Sequence, residues 1–246
     1  MFQYLYYIYL IISLFEILNA FDVKSENDLI NYLSNSDGEI TLKINSEIDI
    51  TKKININSTI QKLYIIGDSL DTSNINLIHP LYFISNIEEI KIKNININGN
   101  LFFKNNEIIT FDTVNLNGYI DSDFDENSNN YIEIARFTYK PVKELVENCI
   151  NLSGNIKINS SYFYGNSSCR NRLLYYNGFK KYNLDIKESY FNGDYECPFL
   201  SIKNALNATI ESSYFEKGYS SRYIDGGYIK KKREFFINKI YLLLLL

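Results

Sequence analysis

One motif occurs three times in the last third of the chain, and it constrains the fold more than any other feature. Each copy carries alternating apolar and polar residues followed by a Ser-Tyr-Phe triplet. The copies span Asn155–Gly165, Asn183–Gly193 and Asn207–Lys217. Their shared phenylalanines, Phe163, Phe191 and Phe215, are separated by 28 and 24 residues. A repeat of about 20–50 residues is typical of a solenoid.

Within each copy the alternation of apolar and polar residues slips by one position. In the first copy Phe163 would face outward if the preceding alternation simply continued. A two-residue bend at Asn159-Ser160 restores the pattern, so that Ser161 and Phe163 point inward and Tyr162 points outward. The equivalent bends in the other copies fall at 187–188 and 211–212.

Weaker copies upstream extend this pattern over most of the chain, with bends predicted at 93–94 and 112–113. Residues 119–150 interrupt the rhythm, but the 47 residues from Leu116 to Phe163 have the length of about two coils. Two strands joined by a polar corner and restarted about every 24 residues predict an all-β, single-stranded parallel β-helix over residues 39–240. A leucine-rich repeat is the alternative, because Ile60–Leu70 fits that template once.

The repeats resemble those of a known family. Phe163-x-x-Asn166 and the later Gly226–Ile229 are similar to the paired motifs of chlamydial polymorphic outer-membrane proteins. The resemblance covers about the last third of the chain. It implies a right-handed parallel β-helix of the pectin-lyase-like class and a surface adhesin. The Ile-, Asn- and Tyr-rich composition also resembles secreted β-helix proteins of anaerobic gut fungi.

The two ends of the chain differ from the repeats between them. Residues 1–20 are typical of a secretory signal peptide, because their apolar run is too short to span a bilayer. An uncleaved anchor is the alternative. Residues 21–38 predict a cap helix that starts at the capping box Ser25–Asp28 and covers the first coil. Residues 241–246 form an apolar tail that suggests a truncated chain.

The cysteines predict one disulfide. Cys169 and Cys197 each lie six residues after a motif phenylalanine, so equal offsets would make them neighbours in adjacent coils. A secreted protein would oxidise such a pair. This leaves Cys149 as the free thiol, and a reduced pair is the alternative.

Charge and motifs restrict the function. A net charge of −4 argues against a nucleic-acid surface, and no transmembrane span, metal site or cofactor motif is evident. The acidic stretch Asp121–Glu126 is interpreted as a solvated loop, with a calcium site as the less favoured alternative. Paired catalytic carboxylates are not apparent either, so we lean against an enzyme. A divergent polysaccharide lyase or glycoside hydrolase remains the alternative.

Three tyrosines form the candidate binding site. They share one outward position, where they predict an aromatic ladder for a polysaccharide or cell-surface glycan; they are Tyr162, Tyr190 and Tyr214. A purely structural ladder is the alternative. Five sequons are glycosylation candidates: Asn57, Asn151, Asn159, Asn166 and Asn207. Together these features predict a secreted or cell-surface protein with an adhesive or structural role.

Overall fold

The chain folds as an all-β parallel solenoid of about eight turns, with about 24 residues in each turn. The computed structural model describes residues 20–83, 87–126, 129–218 and 235–242. Only about 5% of the chain is helical. A leucine-rich repeat is therefore excluded, because the coils return through strands and turns. The predicted fold class is confirmed.

Each full coil contributes strands to three faces. The first face contains β1 (Ala20–Val23), β2 (Gly38–Ile44), β4 (Ile60–Gly67), β11 (Tyr131–Ala135), β14 (Asn155–Asn159) and β17 (Asn183–Lys187). The second face contains β3 (Glu47–Ile50), β5 (Asn74–Leu77), β12 (Thr138–Lys140), β15 (Tyr162–Tyr164) and β18 (Tyr190–Asn192). Three long strands bend from the first face to the second: β7 (Glu89–Asn98), β9 (Ile108–Asn117) and β20 (Asn207–Glu216).

The third face is a separate parallel sheet that the sequence pattern did not reveal. It contains β6 (Leu81–Phe83), β8 (Leu101–Lys104), β10 (Ile120–Asp123), β13 (Val146–Ser153), β16 (Cys169–Asn177) and β19 (Leu200–Lys203). The predicted acidic loop at Asp121–Glu126 therefore begins as strand, which corrects the interpretation of that stretch. Residues 119–150 supply β10 to β12 and most of β13, so the solenoid continues through them.

The corner between the first and second faces has one conformation in six successive coils. One residue at each corner has a positive φ, between 47° and 59°, although none of these residues is glycine. They are Asn94, Thr113, Arg136, Ser160, Glu188 and Ser212. Five of them are the second residue of a predicted bend, which confirms those bends. A left-handed conformation is unfavourable for L-residues, so hydrogen bonding of the strands on both sides must hold it.

The interior behind the three motif copies is an aromatic stack. Phe191 lies between Phe163 and Phe215, with ring centroids 4.7 Å apart on both sides and interplanar angles of 10° and 5°. All three side chains are buried. The predicted inward stack is confirmed, and the parallel register explains it because identical positions pair in neighbouring coils.

The buried serines beside this stack form a second ladder that holds the corners. Ser189 Oγ donates to the carbonyl oxygen of Lys187 at 2.7 Å and accepts from the backbone N–H of Ser161 at 3.3 Å. Ser161 and Ser213 repeat both contacts with their own neighbours. Each hydroxyl thus accepts from a backbone N–H group of the preceding coil and donates to the carbonyl oxygen two residues earlier in its own coil, so it links adjacent corners.

The predicted cap helix is present at the start of the solenoid as α1 (Glu26–Asn35). Ser25 is its N-cap, since Ser25 Oγ accepts from the backbone N–H of Asp28 at 3.2 Å and donates to Asp28 Oδ2 at 2.8 Å. Leu29 and Leu33 are buried against the first coil. The helix therefore covers apolar residues that the first coil would otherwise expose to water.

A last strand, β21 (Phe235–Leu242), runs antiparallel to β20. It pairs along nearly the whole of β20, from Ala208 to Phe215, on both the first and the second face. Several sequence predictions lie outside the described residues: the signal peptide up to residue 19, the segment 226–229, and residues 243–246 of the apolar tail.

The disulfide joins Cys149 to Cys169, with the Cα atoms 5.2 Å apart, and the buried Cys197 is the free thiol. The predicted Cys169–Cys197 pair is therefore wrong. Phe163 pairs with Phe191 and Leu174 pairs with Leu200, so the turn between these positions is two residues longer in the earlier coil. Residues at equal distances after the two phenylalanines are therefore not register partners beyond this turn.

Candidate functional site

The three predicted tyrosines do form a ladder on the outer surface of the second face. Tyr190 is the register partner of both Tyr162 and Tyr214. The Tyr190 and Tyr214 rings are stacked, with centroids 5.8 Å apart and an interplanar angle of 12°. Tyr162 is tilted by 48° from Tyr190 at 5.9 Å and is 51% exposed.

Hydrogen bonds fix the centre of this ladder. The Tyr190 hydroxyl donates to Glu216 Oε1, and Asn192 Nδ2 donates to the same carboxylate oxygen at 2.9 Å. Lys217 Nζ lies 3.6 Å from that oxygen. Burial, and next the hydrogen bond to Glu216, raise the pKa of Tyr190 to about 12. The hydroxyl is therefore neutral and committed to a partner within the protein.

The stacking limits what the ladder can bind. A sugar ring packs against the flat face of an aromatic ring, but Tyr190 is stacked on Tyr214 and has the tilted ring of Tyr162 beside it in the ladder. Such cross-strand pairs stabilise the sheet by about 0.2–1 kcal/mol each. The geometry therefore supports the structural alternative for this ladder, while glycan binding there stays a prediction.

A groove on the third face offers a different surface. Its volume is about 310 Å³, at the lower end of the range of about 300–1,000 Å³ that is usual for ligand pockets. Asp121, Asn151 and Tyr175 are register partners on three adjacent strands and line the groove together. The remaining lining residues are Ser122, Phe124, Leu152, Ser153, Asn177 and Phe179.

The alternation of the strands places these three side chains on the outside. Ile150 and Leu152 flank Asn151 in β13 and are buried in the core. Asn151 is half-buried and points the opposite way, because successive residues of a strand face opposite sides. The solenoid core thus supplies a rigid base for the groove.

Asn151 is the groove residue that has a buried polar atom without a hydrogen-bond partner. Its Oδ1 atom is buried and has no hydrogen-bond partner among the described residues. A buried acceptor left without a donor costs about 1–3 kcal/mol. The groove therefore contains an acceptor that a bound hydrogen-bond donor would satisfy.

Two carboxylates on the described faces of the solenoid interact with basic side chains. Asp112 accepts a hydrogen bond from Arg136 and also lies 3.6 Å from Lys93. Asp185 lies 3.4 Å from Lys187 on the first face. Asp121 is the one carboxylate among the described residues that line the groove. In the described part of the chain, His, Cys, Asp and Glu residues form no group of three suited to a metal ion.

The sequons occupy different environments. Asn207 is exposed, whereas Asn57 is half-buried with Nδ2 donating to the carbonyl oxygen of Ser36 at 3.0 Å. Asn166 Oδ1 accepts from the backbone N–H of Ser168. The hydroxyl of the Asn159 sequon belongs to the buried serine ladder, so a glycan at Asn159 would have to be attached before folding. Asn151 lies inside the groove, where a glycan would compete with a ligand.

Sequence reasoning missed the groove because it did not predict the third face. Asn151 was noted only as a sequon and Asp121 only as part of an acidic loop. The alternation Ile150-Asn151-Leu152 is a strand signal that would have placed Asn151 outward. The register that joins it to Asp121 and Tyr175 is not readable from that signal alone.

The comparisons with known proteins do not assign a family. No protein-family model matches the chain, and searches of curated proteins and of solved structures find no match. No helix in the described ranges is both long enough and apolar enough to cross a bilayer. The inference of function therefore depends on the fold and on the chemistry of the groove.

Proposed function

We propose that this protein is a secreted or cell-surface solenoid that binds a glycan without cleaving it, and that the ligand occupies the groove on the third face. The observation that carries the proposal is the buried Asn151 Oδ1 atom, which has no hydrogen-bond partner among the described residues and lies in a groove lined by Tyr175 and Phe179. A saccharide combines hydroxyl donors for such an acceptor with an apolar ring face for aromatic side chains.

Three further features support a location outside the cell. A disulfide between Cys149 and Cys169 suits an oxidising compartment. The first 20 residues are typical of a signal peptide. The resemblance of the repeats to chlamydial polymorphic outer-membrane proteins, with their pectin-lyase-like β-helices, favours a surface adhesin.

The lyase or hydrolase alternative has less support. A glycosidase needs two carboxyl groups on either side of the bond that it cleaves. The described lining of the groove contains the Asp121 carboxylate as its one acidic group. This composition favours binding over hydrolysis.

Retention on a panel of immobilised polysaccharides tests the proposal. The protein should be produced in a host without N-glycosylation, so that the Asn151 side chain is unmodified. We expect retention on at least one glycan and about tenfold weaker binding for Asn151→Val, which removes the acceptor and keeps a strand-forming residue. Tyr175→Ser serves as a second groove variant.

The tyrosine ladder provides the matched control. The triple variant Tyr162→Thr, Tyr190→Thr and Tyr214→Thr should bind as the unmodified protein does. Loss of binding in this variant, with Asn151→Val unaffected, would overturn the assignment of the groove. Release of reducing or unsaturated ends from a glycan would overturn the non-catalytic role.

A further inference from the structure

We propose that the groove is one part of a longer binding surface, and that the ligand is a linear polysaccharide chain that also contacts an exposed aromatic pair beside the groove. This inference rests on the proposed function, because it names the ligand class of the same groove. The aromatic pair consists of Tyr82 on β6 and Phe102 on β8. Both strands belong to the third face, and β8 is the neighbour of the groove strand β10.

The parallel register places the aromatic pair and the groove in one row. Each member of this row is the register partner of the next: Tyr82, Phe102, Asp121, Asn151 and Tyr175. Neighbouring strands lie about 4.8 Å apart, so the four spacings give the row a length of about 19 Å. A single sugar covers only part of this length, whereas a chain of sugars can follow it.

The aromatic pair is accessible on the outer surface. Tyr82 and Phe102 point away from the core, because the residues on either side of each are buried. Their rings are stacked, with centroids 4.9 Å apart and an interplanar angle of 18°. Tyr82 is 46% exposed and Phe102 is half-buried. The pair therefore leaves aromatic surface in contact with water next to the groove.

The aromatic pair differs from the tyrosine ladder in its neighbours. Tyr190 has a ring on both sides of it in its row, and its hydroxyl donates to Glu216. Phe102 has Tyr82 as its one ring partner in the described ranges. Its partner on the groove side is Asp121, which has no ring. Aromatic surface of Phe102 thus remains for a ligand that extends out of the groove.

A sugar chain matches the order of groups along the row. Tyr175 lies at one end and the aromatic pair at the other, with Asp121 and Asn151 between them. Asp121 already interacts within the protein, so Asn151 is the polar side chain left for a ligand. A sugar chain presents apolar ring faces and hydroxyl groups along its whole length. One chain can therefore pack on rings at both ends of the row and form hydrogen bonds between them.

Fragments of defined length test this inference. Calorimetric titration should compare the disaccharide and the hexasaccharide of cellulose, xylan, chitin, laminarin and homogalacturonan, all of which belong in the polysaccharide panel. We expect the hexasaccharide of at least one of them to bind about tenfold more tightly than its own disaccharide. The reason is that only the longer chain reaches from the groove to the aromatic pair.

Variants assign this length preference to the aromatic pair. The double variant Tyr82→Thr and Phe102→Thr keeps residues that favour strands and removes both rings. It should bind the hexasaccharide about as weakly as the disaccharide, while binding of the disaccharide in the intact groove is unchanged. Phe102→Leu keeps an apolar side chain without the ring, and it should also weaken the preference if the double variant folds poorly.

A second stacked pair provides the matched control. Tyr190→Thr with Tyr214→Thr removes two stacked rings from the second face and should keep the length preference. Thermal unfolding of both double variants measures their stability. If the Tyr82 and Phe102 variant melts at a lower temperature but keeps the preference, the aromatic pair only stabilises the sheet and the inference is wrong.

The outcomes separate this inference from the proposed function. Equal binding of disaccharide and hexasaccharide would overturn the extended surface and leave glycan binding in the groove standing. Retention on the panel without binding of any hexasaccharide would also overturn it, because a linear chain of this length would not be the recognised unit. Failure of the whole panel would overturn both proposals.

Discussion

The tyrosine ladder and the groove lie on the outer surfaces of neighbouring coils and share the coil of β14, β15 and β16, and both combine aromatic side chains with asparagine and an acidic residue. In the ladder, Tyr190 and Asn192 both direct their donors to one carboxylate, and the rings cover one another. In the groove, Asn151 Oδ1 is buried without a hydrogen-bond donor among the described residues. Asparagine is thus paired within the protein on one face, and on the other face it retains a buried acceptor atom.

This difference indicates how repeated surfaces of a solenoid divide between structure and binding. Exact repetition places identical side chains in register, where they satisfy one another, as the asparagines of β5, β7 and β9 also do through amide-to-amide hydrogen bonds. The groove departs from repetition, because Asp121, Asn151 and Tyr175 differ from one coil to the next. We therefore expect substitutions in the two regions to have opposite effects on stability.

The largest loss should come from the interior that supports the ladder. Phe191→Ala removes the central ring of the buried stack and should lower the free energy of unfolding by about 3–5 kcal/mol. Denaturant titration measures the change. The neighbouring outward substitution Tyr190→Thr is the control and should cost much less. Comparable costs would mean that the inward and outward positions of this strand contribute equally.

A gain of stability is expected in the groove. Asn151→Val removes an unpaired buried acceptor and introduces a residue that favours strands, so the unliganded protein should become more stable by about 1 kcal/mol. Thermal unfolding without ligand measures this effect. Asn192→Val is the matched control in the ladder and should destabilise, because Asn192 donates to Glu216. Destabilisation by Asn151→Val would show that the acceptor is satisfied in solution.

The ladder as a whole should contribute a moderate amount. Replacing Tyr162, Tyr190 and Tyr214 together by threonine removes two cross-strand pairs worth about 0.2–1 kcal/mol each. Comparing the denaturant midpoints of the triple variant and of the three single variants gives the interaction energy between the tyrosines. If the triple variant is as stable as the unmodified protein, the ladder does not stabilise the fold.

The smallest effect concerns alkaline pH. The pKa of Tyr190 is raised to about 12 in the folded protein, whereas an unfolded tyrosine has a pKa of about 10. The unfolded chain therefore loses this proton first, and stability should fall as the pH rises from about 10 to 12. Tyr190→Phe should make that fall less steep in melting curves recorded across this range. An unchanged slope would mean that Tyr190 ionises alike in both states.

The sequence predicted those parts of the structure that repeat. Period-two alternation and the slip before Phe163 were sufficient to locate the corners, because side-chain direction reverses at every strand residue. The same argument placed Ser161 and its equivalents inside, where they bond to the corner backbone. The capping box at Ser25 is a local signal, and it predicted α1 for that reason.

The parts that could not be predicted depend on turns of variable length. The turn that follows Phe163 is longer than the one that follows Phe191, so Cys169 and Cys197 are out of register. Cys169 is instead bonded to Cys149. The third face lies beyond those turns, so its register could not be extrapolated from the motif. The groove residues are brought together only by that register. For this reason the sequence predicted a candidate site on the second face, whereas the structure favours one on the third face.

The antiparallel course of β21 has a consequence for self-association. Parallel coils present the same row of donors and acceptors to the next strand, so an open end of such a stack is a template on which another molecule can polymerise. On the first and second faces, β21 occupies the hydrogen-bonding edge of β20 and reverses the strand direction. Fibril growth by parallel stacking is thereby blocked on these two faces.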